Sequence, residues 1–170
     1  MRISNKYVFF WRGWLSNFWH APFELDGLTF QNTEQYFMWK KAIIFNDQDI
    51  ADKILATNSP KEARRLGQLV HGYSDATWGP IRRQVMYDCN LAKYMQNPDL
   101  ARELCKPEWR DKHFVEASPY DRIWAIGIPE EDDRCLDPAN WLGTNYLGQC
   151  LDSVREQILN NEKSNNLKNI

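Results

Sequence analysis

Tyr7-Val8-Phe9-Phe10-Trp11 is a short apolar run of aromatic and β-branched residues, which predicts a strand. Arg12-Gly13 breaks it, and Ser16-Asn17-Phe18 continues as an irregular segment. Residues 23–30 turn about Asp26-Gly27 and predict a β-hairpin. From Asn32 the pattern becomes helical. Asn32 can cap a helix over 34–45, with Gln35 three positions on as in a capping box. Asp47 caps a second helix whose apolar positions Ile50, Ile54 and Leu55 share one side. Ser59-Pro60-Lys61-Glu62 starts a third, which carries Ala63, Leu66 and Val70 and ends near Gly72. Residues 79–95 read as the longest helix, with Ile81, Val85, Met86, Cys89 and Ala92 inward. Asn97-Pro98 opens a short helix through Cys105. Phe114-Val115 and 123–128 read as strands flanking an acidic turn, and 129–138 as an acidic surface loop. A final amphipathic helix covers 143–158, with Leu147, Leu151, Val154 and Ile158 inward. Together these predict one helix-rich α+β domain with a small β-sheet over 1–159, its strand order open, and a polar, flexible tail over 160–170.

Composition narrows the function classes. Aromatics form 14% of the chain, and eight are tryptophan, a load that predicts rings lining a cavity as well as filling a core. A formal charge of −2 argues against an extended phosphate-binding surface, while leaving room for one small pocket for a phosphorylated ligand. No apolar stretch is long enough for a membrane span, and the N-terminus lacks signal-peptide features. Cys89, Cys105, Cys135 and Cys150 form no C-x-x-C pair and no zinc spacing with His20, His71 or His113. The expectation is reduced thiols in a cytoplasmic protein with no metal and no cofactor.

Two groups of residues carry candidate chemistry. Glu116 and Asp121 flank a Ser118-Pro119 turn beside Tyr120 and Trp124. Carboxylates against aromatic rings can have their pKa moved by desolvation and can face a flat or sugar-like ligand. The alternative is a solvated turn. Glu34 and Lys41, seven positions apart, return to within about 20° of each other on the helix surface. They share that face with Phe37, Met38 and Phe45, where an ionised group needs a partner or a cavity. A first-turn carboxylate at the helix dipole and a snorkelling lysine are the plainer readings. No phosphate loop, G-x-S-x-G or H-E-x-x-H is present. Carboxylate-driven cleavage of a glycosidic bond fits the inventory best.

These segments together resemble the NADAR family, the YbiA-like N-glycosidases. The resemblance rests on Ser16-Asn17-Phe18, Phe23 to Phe30, Thr33-Glu34-Gln35-Tyr36-Phe37 with Lys41-Ala42, Ala63 to Gly67, Trp78, Val115 to Gly127 and Trp141 to Gly148. It implies an α+β fold and cleavage of N-glycosidic bonds to ribose. The implied substrates are phosphorylated ribosylamino-pyrimidine intermediates of riboflavin synthesis, or ADP-ribose on guanine in nucleic acid. It also implies catalytic roles for Glu34, Lys41, Glu116 and Asp121, and places Asn17, Trp124 and Asn145 around the pocket. Arg12, Trp78 and Tyr120 complete the candidate substrate-binding set. The chain departs from the family at Gln35, where histidine is frequent, at Met38-Trp39-Lys40, where Gln-Ala-Gln is frequent, and at Gln68, where a basic residue is common.

Two chemical routes stay open. An acid, Glu34 or Asp121, protonates the leaving nitrogen or opens the ribose, Lys41 captures C1′ as a Schiff base, and Glu116 assists water. The other route is direct displacement through an oxocarbenium-like state, with Lys41 stabilising charge. A binding module that senses ADP-ribose without cleaving it is the reading from a different class, and a protein-interaction domain using exposed tryptophans is a third.

Overall fold

A computed structural model describes residues 1–168, with side chains through Ser164. The chain forms two compact units, one of Met1–Ser16 with the segment from Pro98 onward, the other Asn17–Asn97. Among the described residues there are five strands and seven α-helices, the helix-rich α+β class that the residue pattern predicts.

In the first unit β1 (Arg2–Ile3) pairs antiparallel with β2 (Tyr7–Phe10). Strand β2 pairs parallel with β5 (His113–Glu116), in the register Phe10 to Glu116. Alternation sends Phe9 and Val115 to one face, where they pack with Ala117, Ile126, Ile128 and Cys135. Helix α7 (Tyr146–Lys168) packs against β5. Arg155 of α7 lies over the Phe114 ring and donates to the carbonyls of Trp109 and Lys112 and to Asp152, so this buried cation is fully engaged.

The second unit starts with the hairpin of β3 (Phe23–Leu25) and β4 (Leu28–Phe30). Asp26 and Gly27 both take positive φ, 52° and 76°, as a two-residue turn of this hand requires. Five helices follow: α1 (Thr33–Ile44), α2 (Gln48–Leu55), α3 (Pro60–Gly67), α4 (Asp75–Trp78) and α5 (Arg82–Gln96). Helix α6 (Pro98–Leu104) belongs to the first unit. Side chains of Asn32, Asp47 and Ser59 accept from the third residue on, as the pattern predicts. Phe23, Phe30, Tyr36 and Trp39 interlock, with ring centroids 5.0–6.3 Å apart, so this part of the aromatic load is core.

The structure departs from the pattern at five places. Helix α3 stops at Gly67, short of Gly72. The helix expected over 79–95 starts late and is not the longest: α5 begins only at Arg82, because Gly79-Pro80 separates it from the short α4, and α7 is longer. Residues 123–128 form no strand, because the carbonyls of 122–126 accept from amides of 142–147. The acidic 129–138 segment is not wholly exposed. Its short 3₁₀ turn Asp133–Leu136 buries Cys135, whose carbonyl accepts from the Trp141 indole at 2.7 Å. Helix α7 continues past Ile158 to Lys168, through residues with few apolar positions, so this stretch is helix by propagation from the packed turns before it. The end of the predicted tail, 169–170, lies outside the described residues. No helix is long and apolar enough to cross a membrane among the described residues.

Candidate active site

In the second unit the start of α1 is fixed by Asn17. The Asn17 carbonyl accepts from the Glu34 amide and the Thr33 hydroxyl, both at 3.1 Å. Its side-chain oxygen accepts from Thr33 at 2.9 Å and from Asn90 of α5 at 3.3 Å. Asn17 is itself buried, so it orients the first turn of α1 from inside the unit. Glu34 sits on that turn with only 6% of its surface exposed. Gln35, where the family often carries histidine, is buried and engaged at both ends. Its oxygen accepts from the Gln31 amide at 2.7 Å, and its nitrogen donates to the carbonyls of Ile54 and Thr57 at 3.1 and 2.8 Å. It therefore closes the last turn of α2, and the glutamine reaches back one residue further than a capping box would place it.

Lys41 follows on the same face, roughly 10 Å along the axis from Glu34 at 1.5 Å per residue. It is half-buried, donates to the Gly67 carbonyl at 2.8 Å and stands 4.3 Å from the centre of the Tyr73 ring. Desolvation lowers its pKa from the ordinary lysine value. Among the described residues no carboxylate pairs with it. Trp78 is buried against Phe37, with centroids 5.0 Å apart, and so forms part of the packed interior of this unit.

In the first unit the parallel pairing carries two loops to neighbouring strand ends. Phe10 leads into Trp11-Arg12, and its partner Glu116 leads into the Ser118-Pro119 turn. The Arg12 guanidinium lies 4.8 Å from the centre of the Trp11 ring, and Trp11 is 5.8 Å from Tyr120, which is 82% exposed. Glu116 ends β5 half-buried, and its amide donates to Asn145 Oδ1 at 2.9 Å. Asp121 Oδ1 accepts from the amides of Ile123 and Trp124, both at 2.8 Å. One oxygen thus shapes the turn. Trp124 is half-buried with its ring edge to Tyr146 at 6.2 Å.

The residues after Asp121 explain why 123–128 is not a strand. Carbonyls of Arg122, Ile123, Trp124, Ala125 and Ile126 accept from Thr144, Tyr146, Leu147, Asn145 and Leu142 in turn. They satisfy donors at the start of α7, groups a helix cannot satisfy itself. Gly127 at φ +71° turns the segment away from sheet geometry. Gly143 and Gly148 approach backbone so closely that a Cβ would collide, with Ala125 and Arg122 in one case and Phe114 in the other. The Trp141 to Gly148 motif is therefore largely scaffold.

The structure brings Arg12, Glu116, Tyr120, Asp121, Trp124 and Asn145 into the first unit, and Asn17, Glu34, Lys41 and Trp78 into the second. Three residues escape the sequence reading. Tyr73 covers Lys41, Asn90 holds Asn17, and Lys93 of α5 is fully buried with its ammonium 4.8 Å from the Tyr94 ring centre. The spacing that singles out Lys41 also marks Lys93: it falls four after Cys89 and seven after Met86 on the inward face.

A family model for the NADAR domain matches residues 9–159, and the chain belongs to that family. It is 40% identical over 133 residues to "Protein irg-1" of Caenorhabditis elegans, covering 77% of this chain and 62% of that protein. It is 33% identical over 126 residues to "N-glycosidase R617" of Acanthamoeba polyphaga mimivirus, covering 74% and 73% of the two chains. The NMR structure of the Escherichia coli protein YbiA superposes with a TM-score of 0.75 at 26% identity, covering 95% of this chain and 89% of that one.

Proposed function

We propose that the chain is an N-glycosidase that hydrolyses the bond between ribose C1′ and an amine nitrogen, on a substrate carrying ADP-ribose or a ribose phosphate. The observation that carries this reading is Lys41: a half-buried amine of lowered pKa, with a carbonyl and a ring face as its partners. Such an amine is nucleophilic at a lower pH than an ordinary lysine. Membership of the NADAR family and the name of the mimivirus relative support the reaction class.

The proposed steps balance without a redox partner. Glu34 gives a proton to the ring oxygen, and the C1′–O bond breaks as the nitrogen lone pair forms C1′=N. Neutral Lys41 adds to C1′, and the C1′–N bond to the base breaks as that nitrogen takes a proton. Water then hydrolyses the Lys41–C1′ imine and releases the sugar. Within the first unit, Arg12 is proposed as a phosphate contact, Tyr120 and Trp124 as ring contacts, and Glu116 and Asp121 as its candidate acids. Asn17, Trp78 and Asn145 are proposed to act through the residues they hold in place.

The test is incubation with ADP-ribosyl-guanine and with ribosylamino-pyrimidine phosphate, scored for free sugar, followed by borohydride trapping. A protein–sugar adduct at Lys41, absent from Lys41→Ala, is expected. Turnover of neither substrate alongside tight ADP-ribose binding would replace the enzyme with a binding module. Turnover without an adduct, retained in Lys41→Ala, would replace the Schiff base with direct displacement.

A further inference from the structure

Tyr73 lies outside every motif of the sequence and has no part in the reaction as written. Its ring face covers the Lys41 ammonium at 4.3 Å, and the ring of Phe45 packs beside it at 5.5 Å. Its hydroxyl donates to Asp75 Oδ1 at 3.0 Å, and the same oxygen accepts from Arg82 at 3.2 Å. The phenol stays protonated, because burial and the neighbouring carboxylate both raise its pKa. The ring therefore cannot swing off Lys41 without breaking a hydrogen bond to a carboxylate oxygen that Arg82 also holds. The amine also donates to the Gly67 carbonyl at the end of α3, at 2.8 Å.

We propose that Tyr73 is a positioning residue for Lys41, an aromatic cover anchored by Asp75 and Arg82 that fixes where the amine sits and how well it is solvated. The assignment rests on the proposed role of Lys41, and it adds a device that sets when that role is available. A cover that excludes water disfavours the ammonium, while a ring face favours it. Burial lowers the pKa of Lys41, the direction that exclusion of water gives. Other charged groups stand on the elements packed against α1: Asp47 with His71 near α2, Glu62 with Arg65 on α3, and Lys93 on α5. None of them registers on Lys41, whose shift has desolvation as its cause. Removing the cover is therefore the change that moves this amine.

The experiment is acetylation of the intact protein across a pH series, with modification at Lys41 quantified by mass spectrometry. It needs no turnover. Tyr73→Leu is expected to speed labelling at high pH several-fold and to move its midpoint upward, toward an ordinary lysine. Tyr73→Phe, which keeps the ring and loses the anchor, should fall between, as should Asp75→Asn. With a cleavable ribosylamine, Tyr73→Leu should lower kcat more than it changes KM and shift the basic side of the rate profile, and Tyr73→Phe should restore part of the loss. Tyr73 is nearly half exposed, so these variants are expected to fold. Labelling of Tyr73→Leu and Asp75→Asn at the wild-type rate and midpoint overturns the proposal. A shifted midpoint in a protein that cleaves no ribosylamine supports the cover and overturns the glycosidase reading alone.

Discussion

Asn145 holds Glu116 by the backbone: its Oδ1 accepts from the Glu116 amide at 2.9 Å while its Nδ2 donates to the Phe114 carbonyl at 3.0 Å. One side chain so binds two positions of β5 from the turn that starts α7. It does this from the left-handed region, at φ +51°, which asparagine tolerates better than most residues. Asn145→Ala loses two hydrogen bonds of about 1 kcal/mol each and adds about 1–2 kcal/mol of backbone strain. A loss of about 2–4 kcal/mol in urea unfolding is expected, with Asn145→Gly less affected because the strain term is absent. Equal stability of the glycine variant and the wild type would show that the bonds to β5 contribute nothing.

Gly67 brings α3 against α1. A Cβ there would meet Met38 along its side chain, from Sδ to Cβ, so the helices must part or Met38 must move. Gly67→Ala should cost about 1–3 kcal/mol by overpacking. The double variant with Met38→Ala should recover part of it, because the two residues share one contact. Urea unfolding of the two single variants and the double variant measures the coupling. Simple additivity would place the strain elsewhere.

Much of this was legible in local chemistry. Asn32, Asp47 and Ser59 announce three helix starts because a cap is a contact between near neighbours. Asp26-Gly27 announces its turn because few residues accept two positive φ angles. What escaped depends on distant partners. Residues 123–128 carry strand-forming side chains, but their carbonyls are taken by 142–147, which no local pattern records. The parallel pairing of β2 with β5, separated by an entire unit, is likewise invisible along the chain, and it is what sets Arg12 near the acidic turn. The family motif marks Asn17 and Asn145, but only the hydrogen bonds show them holding Glu34 and Glu116.

Glu34 offers a clean separation of chemistry from stability. It is buried on the first turn of α1, and Asn17 fixes the backbone at that point without using the carboxylate. Glu34→Gln keeps the shape and removes the transferable proton. On a ribosylamine substrate a fall in kcat of about 10²–10⁴ is expected, the usual contribution of a general acid. Urea unfolding of the same variant separates that loss from any loss of stability. A variant that unfolds early but turns over normally would assign Glu34 to the fold.

Asp47 should contribute to the acid sensitivity of the second unit. Its Oδ2 accepts from the backbone amide of His71 and contacts the His71 ring nitrogen, both at 2.8 Å, while Oδ1 caps α2 at Ile50. The His71 amide is the largest cause of a carboxyl pKa held below its ordinary value, followed by the His71 ring and the Ile50 amide, against an opposing desolvation effect. The unfolded chain, with its higher pKa, binds the proton first as pH falls. Stability from this group is thus complete above the unfolded value of about 3.9 and is lost as pH falls through the lower folded value. Asp47→Asn keeps one oxygen to cap α2 at Ile50, loses the acceptor for His71 and has no charge to lose. Thermal unfolding between about pH 5 and pH 2.5 should show a smaller fall in midpoint for the variant than for the wild type. Parallel curves for the two proteins would move the acid-sensitive contact to another carboxylate.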